Sequence, residues 1–475
     1  MLSSFRSVLR SRTFVSLSCL FLLFGGKNSA EAQQQGNNQN FQPASTVQQP
    51  TFGVSIDVKG VLRAAQFAPT LAPIHQQRLI ASKNSLAKDV FQFSPNRKVS
   101  LRRLADAVHQ ETAKAGKPDE ITSHLAGLMQ VKYAIALLEH DDVILVGPAE
   151  GWLEGESGRK VSATSRAPTV LLEDLATALS VCSSRQAPAW VGCSIEPTQA
   201  ALTQLVTFNR NMPKAVPQRQ RQFVANRMVA GTRSVLGLAD IKVFNLPPAS
   251  HLTEVLIEAD YRMKLISLGL EQPPAKLRSF FGRLEGAPRS QVQRWWFEPH
   301  DQSVQILPQG DLAFIGDQVL LSTEDYKVTK DGKLAPSGRE ASPIAQGFAD
   351  NFTEQYSQIA AARPVFRQLR NMIDLLVLAT HIKQLKQTGV LDVSDCIPIL
   401  EKSTSATRTS AEKVPCAVNA NWKANRLIVA SGGVSIEPAK LLRGSAKRTA
   451  VPEELTTLRK SLADQYEKTD SWWWD

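Results

Sequence analysis

The chain has 475 residues, 43% of them hydrophobic and 21% charged, which excludes a disordered polymer and leaves enough apolar surface for two or three subdomains with a substantial core. The formal charge is +11; residues 1–32 hold Arg6, Arg10, Arg12 and Lys27 against Glu31, so the remainder carries +8. That surplus suits contact with anionic surfaces or polymers. Lysine and arginine are dispersed and no nucleic-acid-binding signature accompanies them, so no nucleic-acid partner is expected.

The first 32 residues have the three-part form of a secretory signal. Arg6, Arg10 and Arg12 make a basic start, residues 13–24 are apolar, and Ala30-Glu31-Ala32 is a small-x-small cleavage pattern, predicting cleavage after Ala32. The apolar run is about a dozen residues long, short of the roughly 20 needed for a membrane span, so no transmembrane segment is expected after signal removal. Cys19 lies inside the apolar run, with Ser16 where a lipobox has leucine, which argues against a lipid-modified cysteine. The predicted location is therefore outside the cytoplasm, periplasmic or extracellular.

With Cys19 removed, four cysteines remain, an even count in an oxidising compartment. Of the three possible connectivities, the local one is favoured: Cys182 with Cys193 and Cys396 with Cys416, each bracketing one compact connection. Each bridge would restrict the unfolded chain by about 3 kcal/mol on the loop-entropy model. No Cys-x-x-Cys occurs and no histidine adjoins a cysteine, so a metal site is not expected.

Residues 33–50 are Gln/Asn-rich with little to bury and read as a disordered tether. A first α+β domain is expected over 51–185, a central one over 186–390 and an extension over 391–475. Residues 53–62 alternate and turn at 57–60, a hairpin signal. Ser100 caps a helix with Leu101, Leu104, Ala105 and Val108 on its apolar face, ended by Gly116-Lys117-Pro118. A second helix is expected near 119–129, then a hairpin of 133–138 with 143–146, and a helix over 171–181.

Gly192-Cys193-Ser194-Ile195-Glu196-Pro197 returns almost unchanged as Gly433-Val434-Ser435-Ile436-Glu437-Pro438, with Gly53-Val54-Ser55-Ile56-Asp57 a looser third copy. Each reads as a short strand ending in a carboxylate, with proline poised to start a helix in the two closer copies; chance recurrence of so short a phrase is the competing explanation. A basic helix follows over 218–236, then a strand over 241–244. Short strand-like runs at 294–297, 304–307, 312–315 and 319–322 suggest an antiparallel meander, and 330–342 an exposed loop. Helices are expected over 351–362 and 364–387, the second apolar over 373–379 except for Asp374. A short helix near 452–466 leads to Trp472-Trp473-Trp474-Asp475.

The stretch 255–269, VLIEADYRMKLISLG, joins an apolar run to a dense polar cluster. Val255-Leu256-Ile257 after the breaker run 246–250 favours a buried strand leading into a helix, with Asp260 near the junction. The competing reading is one amphipathic helix from Ser250 as N-cap to Gly269 as C-terminal stop.

The run Glu258-Ala259-Asp260-Tyr261-Arg262-Met263-Lys264, the later Arg294-Trp295-Trp296 and the segment Arg370-Asn371-Met372-Ile373-Asp374-Leu375 resemble an exported bacterial family typical of planctomycetes, domain of unknown function 1598, over about residues 190–390. The resemblance implies export and an α+β architecture and carries no activity or catalytic residue.

On a strand, Glu258, Asp260, Arg262 and Lys264 share one face and, with Tyr261, could hold an anionic or sugar ligand. The simpler reading is a cap with internal salt bridges. Two nearby carboxylates could also serve as a glycosidase pair if they faced each other across a cleft. In Arg294-Trp295-Trp296 the indoles fall on opposite faces if extended, one filling the core, the other able to stack on a sugar ring or on arginine. The Trp472–Trp474 cluster docks either on the body or on a partner. His140-Asp141-Asp142 has metal-capable atoms but fits a polar hairpin turn. No phosphate loop, dinucleotide fingerprint, zinc motif or nucleophile elbow occurs, so no cofactor and no catalytic residue is assigned. The sequence thus points to an exported, disulfide-stapled α+β protein with mixed or antiparallel sheets and packed helices. Its expected role is non-catalytic binding of an anionic envelope polymer or another exported protein. The alternative is a hydrolase of an extracellular polymer acting through Glu258 and Asp260, and a weaker one an envelope scaffold associating through the tryptophan-rich segment.

Overall fold

The computed structural model describes residues 53–475 apart from 58, 65–71, 156–157, 185, 214, 274, 285–291, 317–318, 330–332, 339, 403–407, 422–425 and 446–452. The predicted signal segment with its cleavage point after Ala32, Cys19 and the 33–50 tether lie outside the described residues.

Two sheets organise the fold. The larger runs in the order Leu334–Pro336, Val319–Val328, Val292–Pro299, Arg426–Ile436, Val191–Pro197, Leu238–Phe244, Lys413–Pro415, with Val418–Asn421 also pairing with Arg426–Ile436. Its pairings are antiparallel except that Val292–Pro299 runs parallel to Arg426–Ile436. The six-stranded sheet has the order Val304–Ile306, Leu312–Phe314, Tyr133–Leu137, Asp142–Ala149, Ser94–Ser100, Trp473–Trp474. Strands from 51–185, 186–390 and 391–475 meet in this second sheet, and the described residues form one compact unit.

The mixed α+β class stands, and many local expectations hold. Val54–Ile56 pairs with Leu62–Ala64 across a turn in which Gly60 N–H donates to Asp57 O at 2.9 Å. Ser100 Oγ accepts from Arg103 N–H at the start of helix Leu101–Ala115, and Gly116 ends it at φ +74°, a left-handed conformation that costs glycine little. The near copies Gly192–Pro197 and Gly433–Pro438 lie side by side, Cys193 opposite Val434, Ser194 opposite Gly433 and Gly192 opposite Ser435, related by a local two-fold.

Several expectations fail for physical reasons. The helix near 119–129 shrinks to Glu120–Ser123, because Leu125, Ala126 and Gly127 all take positive φ and break the ladder. The meander divides: Val292–Pro299 pairs with Val319–Val328 in the large sheet, whereas Val304–Ile306 and Leu312–Phe314 pair in the other. The expected loop 330–342 contains the strand Leu334–Pro336. Neither Cys182–Cys193 nor Cys396–Cys416 is bonded; all four thiols are free and buried. The thiol of Cys182 faces the Leu376 carbonyl of the long helix Pro364–Gln387, whereas Cys193 sits in the large sheet beside Asp260 and Lys264. Cys396 neighbours Asp395 and Arg102, and Cys416 faces the Leu236 carbonyl. Sequence proximity brought no pair of sulfurs into one environment.

The stretch 255–269 is helix as far as Ser267, with no strand in it. His251–Ser267 is a single helix, Ser250 Oγ accepts from Thr253 N–H, and Gly269 at φ +69° follows its end. The strand preference of Val255-Leu256-Ile257 is overridden by burial on all sides: a helix enclosed between the large sheet and the long helix need not be amphipathic.

Candidate functional site

The helix His251–Ser267 carries five of the eight candidate residues, and all five are buried. Helical geometry separates what a strand would have aligned. Residues four apart share a face, so Glu258 goes with Arg262 and Asp260 with Lys264, on different sides.

On the first side, Glu258 accepts from Arg262 Nε at 2.7 Å and from Arg159, brought from the hairpin Trp152–Glu154 with Lys160–Ser162. Arg262 also donates to Glu271 Oε2 at 2.9 Å and to the Gly53 carbonyl at 2.8 Å. Arg363 reaches Glu271 as well, and Arg159 Nε donates to Gln368 on the long helix. One turn earlier, Arg408 bridges Glu254 at 3.0 Å and Glu173 at 2.6 Å, and His251 Nδ1 lies 2.9 and 2.8 Å from the two oxygens of Asp174. Burial works against the charged His251 ring, yet Asp174 holds its pKa above the ordinary value. The result is a chain of charge pairs along one face, each anion matched by a guanidinium or imidazole.

On the other side Lys264 Nζ donates to Asp260 and, at 3.2 Å, to the carbonyl of Gly432 in the large sheet. Burial pushes the Asp260 carboxyl up and the Lys264 amine down, and each opposes the shift of the other. Gly432 is at φ +117°, and a Cβ there would fall 1.8 Å from the Trp295 carbonyl oxygen, so the lysine approaches backbone that no other residue type fits. Tyr261 is 7% exposed, and burial pushes its phenol up to about 12.

The remaining three candidates lie on strand Val292–Pro299, whose alternation sends them to two faces. Trp295 is fully buried, its ring 5.4 Å from Phe280 and 4.9 Å from Phe348. Arg294 and Trp296 point to the opposite face. There the Arg294 guanidinium lies 4.8 Å from the Trp296 ring centroid and 4.1 Å from that of Tyr326, and it pairs with Glu196 and Glu324. Trp296 is half-buried, and its Nε1–H donates to Glu324 Oε2 at 3.1 Å. Register and alternation put Ser194, Ser322, Glu298, Asp240, Lys242 and Phe244 on this same face. Burial pushes the Glu298 carboxyl up, against a hydrogen bond from Ser322.

Asp260, Arg262 and Arg294 therefore do not share a pocket. They occupy three separate environments, two inside the protein and one at the polar face of the large sheet. Glu258 and Asp260 engage partners on different sides of one helix, which is not the arrangement of a glycosidase pair flanking a bond. Reading the sequence alone missed the partners Arg159, Asp174 and Arg408, which are distant in the chain, and Glu271, nine residues past Arg262 and beyond the end of the helix; none carries a local signal. It marked Asp374 as the polar exception in an apolar helix. That carboxyl is 1% exposed, its oxygens accept no hydrogen bond among the described residues, and burial pushes it up to about 8 against the pull of Arg370.

The fold and the buried charge network define an α+β protein built around an internal ion-paired helix, and no helix among the described residues is long and apolar enough to cross a membrane. Residues 193–280 match the model of a family described as protein of unknown function, DUF1598. The matched stretch contains strand Val191–Pro197 from Cys193 onward, the helix His251–Ser267 and Phe280 against Trp295; Arg294-Trp295-Trp296 and residues 370–375 lie beyond it. No curated protein and no solved structure matches the chain.

Proposed function

We propose that the protein is exported, with its signal removed after Ala32, and acts without catalysis as a binding protein of the cell envelope. Its contact surface is the polar face of the large sheet around Trp296. The observation that carries this reading is the half-exposed indole of Trp296, held beside Arg294, Tyr326 and Glu324 and surrounded by hydroxyl and carboxylate side chains. An aromatic ring fixed among hydrogen-bonding groups on a rigid sheet is a platform for a sugar ring. Although the chain as a whole is basic, Glu196, Asp240, Glu298 and Glu324 outnumber Arg294, Lys242 and Lys413 on this face, so a neutral sugar polymer suits it better than an anionic one.

Glu258, Asp260, Tyr261, Arg262 and Lys264 act in this reading as the internal frame that holds the sheet. The hydrolase alternative loses its carboxylate pair, since both acids are consumed by internal cations. Sedimentation of the purified mature chain with insoluble neutral glycan, with an anionic polygalacturonate as the comparison, tests the reading. Trp296→Ala should abolish sedimentation with the neutral polymer and leave the fold intact. Retention of binding in Trp296→Ala, or binding to the anionic polymer alone, would refute the assignment of this face. Cell fractionation with N-terminal sequencing tests export: a mature start at Gln33 is expected, and a cytosolic product retaining residues 1–32 contradicts it.

A further inference from the structure

Residues 471–475 are seated on the open edge of the six-stranded sheet, far in sequence from the strand they pair with. Trp473 lies opposite Val99 and Trp474 opposite Lys98 in antiparallel register, and Ser100 N–H donates to the Trp472 carbonyl at 2.9 Å. The alternation of the strand sends the two indoles to different apolar clusters. Trp473 packs toward Leu86, Val90 and Trp152, and Trp474 toward Tyr133, Leu455 and Tyr466, with its ring 6.0 Å from that of Tyr466.

Beyond the indoles the segment ends in a built carboxylate site. Arg97 is fully buried, and its Nε and Nη2 donate to the two side-chain oxygens of Asp475 at 2.9 and 3.0 Å. The guanidinium is fixed in advance: it also donates to the carbonyls of Asp89, Val90, Gln92 and Ala126, and lies 4.6 Å from the Trp473 ring centroid. Burial raises the cost of charge at Asp475, yet Arg97, Ser94 and Lys98 outweigh it and hold the carboxyl below its usual range. Two donors in a fixed fork are a specific reader of a carboxylate. The segment is nevertheless short, two residues in the ladder, its three indoles remain partly exposed, and Trp474 Nε1–H finds no acceptor among the described residues.

We propose that the edge of strand Ser94–Ser100, together with Arg97, is a docking site for an extended peptide of aromatic-aromatic-acid pattern, which residues 472–475 fill in cis and which the same segment of a second copy of this chain can fill in trans. The mode is strand addition, with main-chain pairing giving affinity and the two indole pockets and the Arg97 fork giving selectivity. An unfilled edge would expose unpaired backbone groups and two apolar clusters, so the cis segment also guards the sheet against uncontrolled pairing. This site is on a different sheet from the face around Trp296, and its test does not involve a sugar polymer.

The experiment uses a blocked fluorescent peptide, acetyl-Ser-Trp-Trp-Trp-Asp-amide, so that the reader senses the side-chain carboxylate. The chain lacking residues 471–475 should bind it saturably, and the peptide with asparagine in place of the aspartate should bind at least about tenfold more weakly, the loss expected for a charge-assisted pair. At the concentration that saturates the shortened chain, the parental chain, with the site filled, should bind neither; only a large excess of the acidic peptide competes with its own segment. If the shortened chain does not fold by circular dichroism, the full chain carrying Asp475→Asn supplies the weakened strap, and it should take up the acidic peptide where the parent does not. Equal affinity for the two peptides, or no binding by a folded shortened chain and by the Asp475→Asn chain, overturns the proposal. At high concentration the parental chain should exchange segments slowly into a dimer that excess acidic peptide dissociates; a dimer indifferent to the peptide contradicts the trans arm.

Discussion

Asp374 offers the sharpest test of how this interior handles charge. Its carboxyl sits on the long helix with neither oxygen accepting a hydrogen bond among the described residues and only a long ion pair to Arg370 Nε at 3.9 Å, and burial raises its pKa from 3.8 to about 8. Between those values the folded state keeps a proton that the unfolded chain has released, so stability falls as pH rises through that window. A displacement of about four pH units at about 1.36 kcal/mol each sets a ceiling of roughly 5 kcal/mol lost between pH 4 and pH 8. Relaxation of the site brings the real figure down, and we expect about 2 kcal/mol or more. Asp374→Asn keeps the shape and a neutral group, so this loss should vanish. Other buried acids raised by burial, among them Asp142, Glu254 and Asp311, titrate in both proteins, so the informative quantity is the difference between parent and variant. Urea unfolding of the two at half-unit steps from pH 4.5 to 8.5 measures it. The gap should open steadily in favour of the variant as pH rises. Parallel curves would mean that the carboxylate ionises without penalty and that the reasoning from burial is wrong.

Three further outcomes are expected. Glu258→Gln removes the buried anion that Arg159 and Arg262 share, leaving Arg262 paired with Glu271, and should cost about 3–5 kcal/mol in urea unfolding. Trp295→Ala, which empties the space against Phe280 and Phe348, should cost about 3–5 kcal/mol, whereas Trp296→Ala on the polar face should stay within about 1 kcal/mol; near-equal losses would contradict the assignment of the two indoles to opposite faces. Burial pushes the thiols of Cys182, Cys193, Cys396 and Cys416 up, the last two to about 12, so in protein beginning at Gln33 Ellman's reagent should find none in the native state and all four after unfolding without reductant. A zero count after unfolding would reinstate the disulfides.

What could be read in advance follows a physical line. Helix Leu101–Ala115 was legible because a serine cap, a stripe of four apolar residues and a terminating glycine all act within one segment. The hairpins Val54–Ala64 and Tyr133–Ala149 were legible for the same reason. Helix His251–Ser267 defeated periodicity, since Val255-Leu256-Ile257 looks like a buried strand, and dense charge looks like a surface when the counter-charges cannot be seen. Those counter-charges come from Arg159, Glu271 and Arg408, and from the carbonyls of Gly53 and Gly432, up to some two hundred positions away in the chain. The same blindness to distance suggested the disulfides, because nearness along the chain was the available guide to pairing. Of the candidate surface, the division of Trp295 and Trp296 between two faces was legible from alternation, whereas Tyr326 and Glu196, which frame it, were not.

A helix buried on every side could have been built from leucine, and charges inside it are an expensive choice that needs a reason. Replacing a buried ion-paired cluster with apolar residues of similar volume is often neutral or stabilising in global terms. The gain here is positional: Arg262 reaches the Gly53 carbonyl at the start of hairpin Val54–Ala64, Arg159 joins the 152–162 hairpin to both the helix and Gln368, and Arg408 ties its own segment to Glu173 and Glu254. Apolar contacts alone would let these peripheral pieces slide. The triple variant Arg159→Met, Glu258→Leu, Arg262→Met should therefore hold its midpoint in urea within about 1 kcal/mol while the amides of Val54–Ala64 lose hydrogen-exchange protection by at least about tenfold. Glu271 keeps Arg363 in that variant, so no lone anion confuses the result. Full protection of the hairpin in a stable triple variant would show that packing alone positions it, and the charges would then lack the role argued for them.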